Sequence, residues 1–120
     1  MSWTVMKFGG SSLATAERVA HAAALVAAHE GQVAVVVSAQ GDTTNRLEAA
    51  LAHAERGDRA AANAIVDVLP AGVCGEAVLL DELRELLLGV SLLREVSAAT
   101  RDLVLSHGER LSTLVMAAAL

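Results

Sequence analysis

Val33-Ala34-Val35-Val36-Val37 is a continuous apolar and largely β-branched run. A short run of this kind is the pattern of a strand buried on both faces. Working back from it, Gly31 and Gln32 end a helical stretch from Leu13 to His29. In that stretch Ala16, Val19, Ala20, Ala23, Val26 and Ala27 recur at helical spacing. Before the helix, Trp3 to Lys7 reads as a short strand. Strand, helix and strand with so long a crossover predict a parallel pair in a right-handed βαβ unit.

Both strands run into polar loops. The first is Lys7-Phe8-Gly9-Gly10-Ser11-Ser12 and the second is Ser38-Ala39-Gln40-Gly41-Asp42-Thr43-Thr44-Asn45. Ligands of open α/β sheets bind beyond the carboxyl ends of the strands, so the two loops share one rim. Glycines let backbone N–H groups turn inward and approach an anion, and a lysine adds a point charge suited to phosphate. The same residues also read as a tight turn with a solvated lysine. No Walker A pattern occurs in the chain. Ser11 and Ser12 suit either a helix cap or a phosphate contact.

After Asn45 the pattern is helical. Leu47, Ala50, Leu51 and Ala54 make one stripe, and Ala62, Ile65, Val66 and Leu69 a second. Pro70 to Gly75 interrupts them. Leu79, Leu83, Leu86, Val90 and Leu93 predict a leucine face on a third helix. Ser97 suits an N-cap for a short helix through Leu105, and Ser106-His107-Gly108 is read as its break. Glu109-Arg110-Leu111-Ser112 then begins the last helix. Arg56, Asp58 and Arg59 read as a solvated corner.

The 120 residues are one domain's worth of material or part of a larger one. They are 54% hydrophobic and 2% aromatic, so the core must be built from Ala, Val and Leu. A net charge of −5 argues against a nucleic-acid partner held by phosphate neutralisation. The single cysteine, Cys74, allows no internal disulfide and reads as a small buried or half-buried hydrophobe. No uncharged apolar stretch reaches membrane-spanning length, and no signal-like N-terminus is seen, so a soluble, cytoplasmic protein is expected. His21, His29, His53 and His107 have no metal-ligand spacing with Cys74 or each other. The apolar run Leu114 to Leu120 lacks a following partner and reads as a chain cut inside a fold.

Three segments together resemble the N-terminal part of an aspartokinase of the amino acid kinase family. They are Met6-Lys7-Phe8-Gly9-Gly10-Ser11-Ser12, the stretch Val37-Ser38-Ala39 through Thr44-Asn45, and Ser106-His107-Gly108-Glu109-Arg110-Leu111-Ser112. Ser12-Leu13 and Thr43-Thr44-Asn45-Arg46-Leu47 are most similar to the bifunctional aspartokinase–homoserine dehydrogenases. The resemblance spans the whole chain but only the first part of the family's kinase domain. It implies an α/β fold, a parallel-sheet sandwich represented here by its βαβ unit (1–45) and a helical segment (46–120).

The implied reaction is transfer of the ATP γ-phosphoryl group to the side-chain carboxylate of L-aspartate, the first step toward lysine, threonine and methionine. By the same resemblance Lys7, Gly9, Gly10 and Ser11 contact phosphate, with Lys7 catalytic. Ser38 and Thr44 hydrogen-bond aspartate, and Glu109 meets its α-ammonium, a charge-assisted pairing. Mg²⁺ would arrive on ATP. The remainder of the domain or a partner chain is implied, and a homo-oligomer in the full-length form.

Bland readings stand beside these. Acidic residues such as Glu109 are favoured in a helix's first turn. Ser38 and Thr44 are also ordinary turn residues. Asp42 reads as solvated, and Arg110 as one half of a surface salt bridge. Two alternatives remain open. One is another amino acid kinase, acting on glutamate or a nucleoside monophosphate. The other is a catalytically dead half-domain that works through partner binding or oligomerisation.

Overall fold

Strands β1 (Trp3–Phe8) and β2 (Gln32–Val37) pair in parallel, in register from Trp3 with Gln32 to Phe8 with Val37. The structure is a computed structural model and describes residues 2–69 and 72–120. The crossover is helix α1 (Ala16–Ala28), so the βαβ unit is as expected. On one sheet face Phe8, Val35 and Val37 pack against Leu13, Val19, Ala22, Ala23 and Met116. The opposite face is open: Trp3, Val5 and Val36 are 64%, 66% and 46% exposed. The expectation that β2 is buried on both faces is thus corrected, because α1 and the last helix both lie on the same side of the sheet.

Helix α1 begins three residues later than the apolar pattern suggested. Ser11–Leu13 forms a 3₁₀ turn instead, with Ser12 N–H donating to Gly9 O (3.1 Å) and Leu13 N–H to Gly10 O (3.2 Å). Thr15 is extended and its Oγ1 accepts from Arg18 N–H (3.2 Å), so Thr15 caps α1 and neither Ser11 nor Ser12 does. Val19 and Ala23 of the expected stripe are buried together with Ala22. Ala16, Ala20 and Ala27 instead line an apolar groove of about 690 Å³ with Val115 and Leu120.

The rest is helical: α2 (Thr43–Glu55), α3 (Arg59–Asp67), α4 (Glu76–Leu93) and α5 (Ala98–Ala119). Leu47, Ala50, Leu51, Ala54, Ala62 and Val66 are buried as the stripes predict, against Leu80, Leu83, Leu87 and Val90 of α4 and Val104 and Leu111 of α5. On α4 the buried face is turned from the one expected. Leu79 and Leu86 sit at its edge and Leu93 is 72% exposed. Paired leucines at 79–80 and 86–87 offer two faces about 100° apart, and packing against α2 and α3 selects one. The break expected at Pro70 begins outside the described residues; Gly72 and Gly75 after it take φ of +74° and +88°.

Helix α5 is the larger surprise. Ser97 caps it, accepting from Thr100 N–H (3.1 Å), but no break follows at Ser106-His107-Gly108. Ser106 Oγ and His107 Nδ1 both bond back to Leu103 O, at 2.6 and 2.9 Å. A helix-interior glycine costs about 1 kcal/mol relative to alanine, and burial of Val104, Leu111 and Met116 on either side outweighs it. The helix therefore runs through both hydrophobic clusters. Two smaller expectations also change. Cys74 is exposed rather than buried. Asp58 caps α3, its Oδ1 accepting from Ala61 N–H (3.1 Å), so the 56–59 corner has a structural task.

Leu83 is fully buried at the centre of the helical cluster. Leu83→Ala is expected to lower unfolding free energy by about 2–5 kcal/mol, read by chemical denaturation.

Candidate functional site

The site lies at the carboxyl ends of β1 and β2, where backbone bonds lace the two loops together. Ser38 N–H donates to Phe8 O (3.0 Å), and Gly41 N–H to Gly10 O (3.1 Å). Gln40 Nε2 donates to Leu13 O (3.0 Å), and Thr43 N–H to Gln40 O (2.9 Å) as α2 begins. Gly41 takes φ of +49°, a left-handed turn residue suited to glycine.

Ala39 is buried at the centre of this lacing, between two glycines from distant parts of the sequence. A Cβ placed on Gly10 would lie 2.7 Å from Ala39 O. One placed on Gly108 would lie 2.8 Å from Ala39 Cβ, and 3.6 Å from both Thr43 Cγ2 and Leu47 Cδ1. Three segments singled out in the sequence thus converge on one residue, and the close approach explains why two of them carry glycine there. Glu109 follows Gly108 directly, and Thr44 follows Thr43, so both flank this contact.

Among the described residues, the groups suited to ligands have no protein partners. Lys7 is exposed on the open sheet face opposite Val36, and its ammonium makes no ion pair. The N–H groups of Gly9, Gly10 and Ser11 have no protein acceptor, and a Cβ on Gly9 would meet nothing within 4 Å. Successive free amides beside a lysine can hold an anion. The Ser38 and Thr44 hydroxyls are half-buried and unbonded. Glu109 is exposed and its carboxylate has no protein partner, while its backbone carbonyl also accepts from Thr113 Oγ1 (3.0 Å). Glu109 sits in the middle of α5, so stabilisation by a helix N-terminus does not account for it.

Neighbouring groups are already committed. Asp42 pairs with Arg46 (3.2 Å), and Arg18 Nη1 donates to Ser11 O (2.6 Å), tying the glycine loop to α1. The described residues contain no group of three or more His, Cys, Asp or Glu placed to hold a metal ion. No helix among them is long and apolar enough to cross a membrane. The 690 Å³ groove lies along α1 and α5, and no charged side chain lines it.

The salt bridge expected at Arg110 is present, but sequence reasoning missed its partner Glu82 and the buried histidine beside it. His107 is fully buried, and its Nε2 lies 3.4 Å from Glu82 Oε1 on α4. Arg110 grips the same carboxylate through Nη1 (3.2 Å) and Nη2 (3.5 Å), a two-pronged pairing. The Arg110 guanidinium beside Glu82, with a smaller contribution from His107, holds its carboxyl below the usual glutamate range against the opposing effect of desolvation. The spacing of 107 and 110 places both on one side of a helix. The partner on α4 could not be read without the register of α4 against α5.

The amino acid kinase family matches residues 2–120, and the chain belongs to that family. Aspartokinase 1, chloroplastic, of Arabidopsis thaliana is 37% identical over 128 residues, covering 95% of this chain and 22% of that protein. Aspartokinase 3, chloroplastic, of the same plant is 34% identical over 134 residues, covering 95% and 23%. Among solved structures, E. coli aspartokinase III in complex with aspartate and ADP (R-state) aligns with a TM-score of 0.74 at 29% identity, over 96% of this chain and 28% of that one. The chain therefore spans about a quarter of the length of the relatives it matches.

Two outcomes test the geometry. Gly108→Ala is expected to destabilise by about 1–3 kcal/mol through overpacking, less the roughly 1 kcal/mol that alanine gains in a helix. In an Ala39→Gly background the obstructing methyl is gone, and the same change becomes neutral or stabilising. Gly10→Ala meets Ala39 O and gains no such relief; a double-mutant cycle by denaturation reads both couplings.

The second outcome concerns pH. Because the Glu82 carboxyl is depressed in the folded state, its stabilising effect is fully present above the ordinary glutamate pKa and lost as pH falls through the folded value. Melting curves of the wild type and Glu82→Gln should differ at neutral pH and converge on acidification.

Proposed function

We propose that this chain is the phosphate- and aspartate-binding portion of an aspartate kinase. Its reaction is transfer of the γ-phosphoryl group of ATP to the side-chain carboxylate of L-aspartate. A carboxylate oxygen forms the new bond to Pγ, the bond from Pγ to the bridging oxygen of the β-phosphate breaks, and ADP and aspartyl phosphate leave. The observation that carries the reading is the meeting of two loops and helix α5 at Ala39, with three free amides in the loop that follows Lys7 and an unpaired Glu109 next to the contact on α5.

Phosphoryl transfer depends on positioning and on charge stabilisation. In this reading Lys7 neutralises the transferring phosphoryl group, and the N–H groups of Gly9, Gly10 and Ser11 donate to its oxygens as charge builds. Ser38 and Thr44 donate hydroxyl hydrogen bonds to aspartate. Glu109 receives its α-ammonium, and a carboxylate with no competing cation is suited to that task. Mg²⁺ would be carried in by ATP and would offset phosphate charge there; the described residues hold no cluster of His, Cys, Asp or Glu that could bind it. The remainder of a kinase domain completes the nucleotide site, and the full-length protein is a homo-oligomer.

The open face of Trp3, Val5 and Val36 and the groove along α1 and α5 favour a second reading, a half-domain that acts only by binding a partner. Aspartyl hydroxamate formation with ATP separates the two. The isolated chain is expected to show little or no turnover. With the rest of the kinase domain supplied, activity should appear with aspartate, and Lys7→Ala should lower kcat about 100- to 1,000-fold. Failure of any turnover in the completed domain would favour the binding-only reading, and turnover with glutamate or a nucleoside monophosphate in place of aspartate would point to another kinase of the family.

A further inference from the structure

The proposed mechanism leaves one buried titratable group unused. His107 is 0% exposed, yet it is not simply a core residue. Its Nδ1 must carry hydrogen to donate to Leu103 O at 2.9 Å, because a carbonyl can only accept. That fixes the ring and aims Nε2 out of α5, 3.4 Å from Arg110 Nη1 and 3.4 Å from Glu82 Oε1. Arg110 closes the triangle by gripping both oxygens of Glu82.

Helical geometry gives this triangle a consequence. Successive residues turn by about 100° around the axis. His107 and Arg110 are therefore on the side of α5 that meets α4. Gly108 is turned about 100° from His107, against Ala39, and Glu109 is turned about 200°, away from α4. The Glu82–Arg110–His107 triangle holds one side of α5, and the glycine contact holds another. Between them they fix the rotation of the helix about its own axis, and with it the direction in which Glu109 projects.

Stability alone is a poor account of the triangle. Arg110 and Glu82 are 42% and 40% exposed, and ion pairs with that much solvent contribute little to folding. Nor do these residues belong to the ligand-facing set: Arg110 and Glu82 satisfy each other and leave Glu109 without a competing cation.

We propose that His107, Arg110 and Glu82 form a positioning unit that sets the roll of α5 and thereby aims the Glu109 carboxylate at the aspartate ammonium. This rests on the aspartate-site reading above and adds to it three residues that touch neither substrate.

The test is steady-state kinetics of the complete kinase carrying Glu82→Gln, Arg110→Met or His107→Asn, with Glu109→Gln as reference. Asparagine at 107 keeps a donor for Leu103 O and removes only the outward link. Glu82→Gln and Arg110→Met alter exposed groups and keep the fold, so the test stands even if the His107 variant does not fold. Each variant is expected to raise KM for aspartate about three- to tenfold, with kcat and KM for ATP within about twofold of wild type. Thermal unfolding of Glu82→Gln at neutral pH should shift by only a few degrees.

If Glu109→Gln raises KM for aspartate while Glu82→Gln and Arg110→Met do not, the positioning role is wrong and the aspartate site stands. If the three variants raise both KM values together and lower the melting temperature in proportion, their role is merely structural and the proposal also falls. If Glu109→Gln itself leaves KM for aspartate unchanged, the aspartate-site reading fails and takes this inference with it.

Discussion

The close contact of Gly10 and Gly108 on either side of Ala39 is the constraint on which the rest of the arrangement depends. It draws α5 to within van der Waals contact of the loop between β2 and α2 and draws the β1 loop against the same residue. Neither approach tolerates a side chain, since a Cβ at either glycine would come within 3 Å of Ala39. Hydrogen bonds from Gly41 to Gly10 and from Gln40 to Leu13 then hold the loops in that arrangement. The contact thereby joins the β1 loop, the start of α2 and the middle of α5.

Helix α5 makes the contact rigid. It is 22 residues long, about 33 Å at 1.5 Å per residue, and it is shared by two hydrophobic clusters. Val104 and Leu111 anchor it among α2, α3 and α4, while Met116 anchors it against the sheet and α1. Gly108 and Glu109 fall between Val104 and Leu111, within the span held by the first of these clusters. A site residue held on a helix fixed at both ends is placed more narrowly than one on a loop.

Much of this was legible in the chain itself. The valine run and the alanine-rich helix before it predicted the parallel βαβ unit, because period and composition decide strand and helix locally. The stripes at Leu47 to Ala54 and Ala62 to Leu69 were legible for the same reason. What failed depended on tertiary context. Ser106-His107-Gly108 has the composition of a helix end, and only burial on both sides keeps α5 unbroken. The valine run predicted a strand covered on both faces, whereas its outer face is open in a chain spanning about a quarter of its relatives' length. Gly10, Ala39 and Gly108 each lie in a segment singled out in the sequence, but that the three meet depends on the tertiary packing of α5 against the loops. His107 was invisible for a related reason, since its partner Glu82 is 25 positions away on another helix.

The proposed chemistry divides along the same physical line. Phosphate contacts fall to backbone amides of a glycine loop, which offer several donors at once and adapt to oxygens that shift during transfer. The ammonium contact falls to one carboxylate on a braced helix. That assignment suits the two tasks. A phosphoryl group in flight changes shape and charge, so a cradle of small dipoles serves it better than one fixed ion. The aspartate substrate must keep its reacting carboxylate in line with Pγ, and a misplacement of about 1 Å can cost a hundredfold in rate. Precision is therefore worth most at the end of the substrate that does not react, and that is where this fold places a helix anchored in two cores.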